Sequence, residues 1–239
     1  EPEEWLHAQG WQLGEQVNER VLAALYRKSD VNFTPNEQID FEDKGIRLCA
    51  DQLLRLRAAQ PFSLFFSGGT LLDAAPWLQA LGEVAVPERT LADLGKILWG
   101  EGNIERVITT DSVGAFAELL LESGSLLVWA PPSASLALQQ VVAALPPNVL
   151  WSHLTALDPA GVDRVQALAQ RLGRPASWWL PRDLAPIKEA YAAPLQDARP
   201  WEPSRIPRPL RAWCSDLVES NRGLSAEVCA LASGWHAIG

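Results

Sequence analysis

The sequence predicts an α/β fold with a mostly parallel sheet, and three observations carry that prediction. Short apolar runs recur at regular intervals: ERVITT (105–110), SLLVWA (125–130), NVLWSHLT (148–155) and PASWWLP (175–181). Each ends in a turn signal, and the first three are followed by stretches of helical spacing, VGAFAELLLES, SASLALQQVVAAL and AGVDRVQALAQRL. Strands that alternate with helices in this way form a parallel sheet covered on both faces.

Residues 1–60 are predicted to be an amino-terminal helical and linker segment. Glu15 to Tyr26 places Val17, Val21, Leu22 and Leu25 on one stripe, and Ile46 to Leu56 places Ile46, Cys49, Leu53, Leu54 and Leu56 on another. The acidic, turn-rich SDVNFTPNEQIDFEDKG lies between them as a hinge or linker. Residues 61–239 form the α/β domain and its extension. PFSLFF is its first strand, SGG a turn and TLLDAAPWLQAL a helix. The Pro/Arg-rich RPWEPSRIPRPLR reads as an ordered wrap, and AWCSDLVESNRGLSAEVCALASGW as a carboxy-terminal helical extension.

A chain of 239 residues with 48% apolar and 21% charged residues has ample length and composition for a globular core. The net charge of -9 excludes a surface that is basic all over, so DNA contact is expected only through a local basic patch, formed by Arg199, Arg205, Arg208 and Arg211. No apolar run approaches the length of a membrane span and no secretory leader opens the chain, which predicts a cytoplasmic protein. Cys49, Cys214 and Cys229 are odd in number and lack metal-type spacing, as expected of reduced thiols. The sequence lacks an initiator methionine, as expected of a processed or truncated chain, and has no other methionine. Its 11 Trp supply anchors for a core or an interface, and Trp201 and Trp213 are the candidates for a contact between copies or subunits.

In parallel α/β sheets ligands bind at the carboxyl ends of strands near a topological switch point. Thr110 and Asp111, Ala130 and Pro131, and Asp158 fall at such ends. Carboxylates on adjacent strand ends share Mg2+ well, because it prefers hard oxygen donors. The competing role for Asp111 and Asp158 is helix capping, in DSVGAF and DPAGVDRV. SGG matches no phosphate-loop pattern, and His7, His153 and His236 form no metalloprotease or hydrolase motif; His153 reads as a core histidine.

The stretch from FSLFFSGGTLLDAAPWLQAL through ITTDSVGAF, LLVWAPPSASLALQQVVAAL and WSHLTALDPAGVDRVQALAQRLGRP resembles the Toprim-containing carboxy-terminal half of the JetD (MksG) family, over residues 61–231. Those proteins are nuclease subunits of Wadjet and Mks systems, SMC-like complexes that restrict plasmids. The resemblance implies a Toprim-like Rossmannoid sheet, SMC-like partner subunits, and carboxylates that bind Mg2+ for DNA cleavage. Family members carry Glu-Asn after the first Toprim strand, Gly-Asp-x-Asp-Pro-x-Gly after the third and Leu-Glu-Gln-Glu near the end. The matching stretches here are Thr110-Asp111, Thr155-Ala156-Leu157-Asp158-Pro159-Ala160-Gly161 and Leu224-Ser225-Ala226-Glu227. Asp158 and Glu227 persist, while Thr110 and Ala156 replace acids. Asp111, Asp158 and Glu227 are therefore the candidate metal and catalytic residues of a degenerate site, and the rival expectations are a working nuclease on the same three or a non-enzymatic nucleotide or DNA binder. Convergence of the three carboxyl groups within roughly 4 to 6 Å of one point marks a metal site.

Overall fold

The computed structural model describes residues 52–100, 102–131, 135–195, 199–231 and 234–239. The helical expectation for residues 1–51, with Ile46 and Cys49, lies outside the described residues. In chain order the strands are β1 (Leu53–Ala58), β2 (Phe62–Phe66), β3 (Leu71–Asp73), β4 (Val84–Pro87), β5 (Leu94–Trp99), β6 (Arg106–Thr110), β7 (Ser125–Trp129), β8 (Leu150–Leu154), β9 (Trp178–Pro181), β10 (Ala193–Pro194), β11 (Arg222–Gly223) and β12 (Trp235–Ile238). The helices are α1 (Ala75–Leu81), α2 (Glu88–Leu91), α3 (Val113–Glu118), α4 (Ser135–Ala143), α5 (Pro159–Leu172), α6 (Ala185–Tyr191), α7 (Arg211–Ser220) and α8 (Ala226–Ala230).

The expected α/β fold is present, with all four predicted strands side by side. A seven-stranded sheet runs β12-β9-β8-β6-β7-β1-β4, and β9, β8, β6 and β7 are mutually parallel. The outer pairings, β12 on β9, β1 on β7 and β4 on β1, are antiparallel. The central strands are buried on both faces because helices cover each side: α8 packs on α3, α6, β8 and β9, while α4 packs on α5. Right-handed crossovers account for this split, since α3 leads from β6 to β7 in one direction whereas α4 and α5 lead the chain back the other way.

Three expectations are corrected. Leu53, Leu54 and Leu56 belong to a strand rather than to the end of a helix, so the boundary at residue 60 cuts through the folded unit. The segment LLRLRA alternates with period two, and pairing on both sides buries Leu54 and Leu56 completely while Arg55 and Arg57 stay half-exposed. Strand β2 does not open the parallel sheet. It joins β3 and β5 in a separate three-stranded antiparallel sheet, and Ser67-Gly68-Gly69 makes the tight β2–β3 turn with Gly69 at φ 83°. The carboxy-terminal extension is not helical throughout: α7 stops at Asn221, whose φ of 49° is left-handed, and residues 235–238 form the edge strand β12.

Among the described residues no helix is long and apolar enough to cross a membrane. Trp201 is 7% exposed and donates its Nε1–H to the Arg222 carbonyl at 2.8 Å, so it packs its own core rather than presenting an interface. Trp213 is half-buried against the same core. Cys214 and Cys229 are free buried thiols, both pushed up to about 12 by burial.

Candidate functional site

The site is set by the order in which the chain lays down its strands. β6 lies between its successor β7 and the later β8, so the chain reverses direction at β6 and leaves a crevice at the carboxyl ends of β6 and β8. Thr110 and Leu154 are register partners there, which brings the Thr110-Asp111 and Thr155–Gly161 segments together.

Thr110 is buried, and its Oγ1 accepts the Ser112 N–H at 3.2 Å. Asp111 follows, its carbonyl accepting Trp129 Nε1–H at 3.1 Å and its Oδ2 2.8 Å from Arg164 Nη1. The same Nη1 donates to Thr155 Oγ1 at 3.0 Å. Asp111 does not cap α3. Ser112 does, accepting the Ala115 N–H at 3.0 Å, because a Ser hydroxyl at this position reaches the third amide of the helix.

Asp158 performs the capping role expected of it. Its Oδ1 accepts the Gly161 N–H at 2.6 Å, with Pro159 at the first helical position. Gly161 is required sterically, since a Cβ there would stand 1.9 Å from the Ala156 carbonyl oxygen. Leu157 exchanges backbone hydrogen bonds of 2.8 and 3.2 Å with Leu224, which pins the carboxy-terminal segment beside Asp158.

That pinning delivers Glu227. Its Oε1 accepts the Ser112 hydroxyl, and this hydrogen bond holds the carboxyl below its ordinary range. The close approach needs Gly114, where a Cβ would meet Glu227 Cγ at 2.7 Å. A cleft of about 240 Å³ opens beside Asp158, lined among others by Ala156, Leu195, Arg199, Gly223 and Ser225.

Fold and geometry thus gather all three sequence-predicted acids at one end of the sheet but give each a protein partner: Arg164, the Gly161 amide and Ser112. Among the described residues no group of three or more His, Cys, Asp or Glu side chains draws close enough to hold a metal ion. This donor set does not fit a divalent cation, because a guanidinium already neutralises Asp111 at contact distance. The basic run is also tied back, with Arg199 and Arg205 reaching Asp163 Oδ2 at 2.8 and 3.7 Å.

No family model matches the chain, and neither does any curated protein.

Sequence reasoning missed Arg164 and Ser112. Ser112 was accessible as the second of two adjacent capping residues in DSVGAF. Arg164 has no local signal, since its role depends on the register of two strands it does not belong to.

Proposed function

We propose that this chain is a JetD/MksG-like Toprim subunit of an SMC-type plasmid-defence or chromosome-maintenance complex, with a strand-end site too degenerate for efficient Mg2+-dependent cleavage. The observation that supports it is the meeting of three separate segments at one switch point. Thr110-Asp111 and Ala156–Asp158 end neighbouring strands, and Leu224–Glu227 is held on both through Leu157 and Ser112. Those are the stretches matched to the family's acids, and their meeting at one switch point is what the resemblance requires. Phosphodiester cleavage needs anionic ligands that hold metal and orient water, which Thr110 and Ala156 do not supply and Asp111 supplies only against Arg164.

In this reading the protein works in the cytoplasm, where buried free thiols stay reduced, and partner subunits supply most of the DNA contact. Direct binding through Arg199, Arg205, Arg208 and Arg211 is weak and salt-sensitive, because Asp163 competes for two of them. Incubation with supercoiled plasmid in Mg2+ and then Mn2+ tests the site, with no nicking expected; turnover abolished by Asp158→Ala would overturn the degenerate reading. Co-purification from the native cell tests the assembly, with SMC-like ATPase subunits expected in the complex and their absence counting against it.

A further inference from the structure

Arg164 projects from the second turn of α5 and reaches back over the crevice. Its Nη1 stands 2.8 Å from Asp111 Oδ2, just beyond β6, and 3.0 Å from Thr155 Oγ1, just beyond β8. One cationic nitrogen therefore ties together oxygen atoms from the two strand ends, the arrangement a bridging hard cation makes. The Asp111 side chain is 14% exposed and that of Arg164 43%, so the carboxylate is the sheltered partner and the guanidinium covers it from the solvent side. A guanidinium cannot be deprotonated out of the way, and a second cation at the same oxygen meets like-charge repulsion.

We infer that Arg164 is the resident cation of the strand-end site: it takes the place a metal ion would hold between β6 and β8 and keeps divalent cations out. The inference rests on the Toprim-like reading in that a metal is the group displaced. Removing the guanidinium frees the Asp111 carboxylate and the Thr155 hydroxyl, two hard oxygen donors beyond neighbouring strand ends, for a hard cation.

The test uses Mn2+ alone, with paramagnetic resonance to count bound ion and thermal melts in chelator and in Mn2+. The parent protein melts at the same temperature in both and binds no ion at this site. Arg164→Gln melts lower in chelator, recovers with Mn2+, and binds the ion at least about tenfold more tightly than the parent, since affinity follows ligand charge. Adding Asp111→Asn to that variant abolishes the gain. Mn2+ binding by the parent that Asp111→Asn removes, or an Arg164→Gln protein that gains no affinity, overturns the assignment. If Arg164→Gln does not fold, Arg164→Lys decides: a folded lysine variant that still excludes Mn2+ supports the assignment, and tight Mn2+ binding by it overturns it. Neither readout involves DNA or another subunit, so failure here leaves the family reading standing, and failure of the plasmid or co-purification experiments leaves this result intact.

Discussion

His153 lies inside the sheet–helix packing at 3% exposure, with Nδ1 2.8 Å from Thr109 Oγ1. The same oxygen accepts Trp151 Nε1–H at 3.0 Å and donates to the Ser152 carbonyl at 3.4 Å, so Thr109 ties the ring into a buried polar cluster. Burial, and then the charge of Arg164, lower its pKa from 6.5 to about 3. The unfolded chain binds this proton below about 6.5 and the folded chain only near 3, so stability falls as pH falls through that window. Urea midpoints at neutral pH and near pH 5 should drop more for the parent than for His153→Gln; equal drops would show that another group carries the acid sensitivity. Glycine makes a second test at this scale. Gly161→Ala puts a methyl 1.9 Å from a backbone oxygen, whereas Gly173→Ala meets nothing within 4 Å but must hold φ 62°. The first should cost more than about 2 kcal/mol and the second about 1 kcal/mol, read as urea midpoints. The cap Asp158 and the core His153 were legible from their neighbours in sequence. Arg164 was not, because its partners are 53 and 9 positions away and become partners only through the fold.

Helix α5 is the element whose limits are written most clearly: Asp-Pro opens it, Gly173 closes it in the left-handed region, and Val162, Val165, Leu168 and Ala169 form its buried stripe. Replacing Asp158 by Ala should cost about 1 kcal/mol through loss of the cap, and Asp158→Asn should recover most of it, because Asn accepts the same amide hydrogen bond. A thermal melt series distinguishes them; an Asn variant as unstable as Ala would mean that charge rather than capping matters. β1 shows how a legible signal loses to a competing one. Leu-Arg-Leu-Arg has period two, yet the preceding Ile46 and Cys49 extend a helical spacing into it, and only the presence of partners on both edges decides for the strand. Strands β4 and β12 have four residues each, too few for periodicity to mark them.

Across the whole molecule, the parallel strands were readable because they are buried on both faces and so spell continuous apolar runs. Their lateral order was not, since it follows from crossover handedness rather than composition. Nor was the antiparallel flank on either side, which is assembled from segments distant in sequence. Removing residues 235–239 strips β12 from β9 and leaves an apolar strand with an unpaired edge, so the truncated protein should aggregate at concentrations where the parent does not, as light scattering would show. The same pairing bears on synthesis. β9 ends at Pro181, whereas its outer neighbour begins at Trp235, so a nascent chain carries that edge uncovered while more than fifty further residues are translated. At ribosomal speeds this interval lasts seconds, long enough for a chaperone or a neighbouring nascent chain to find the strand first.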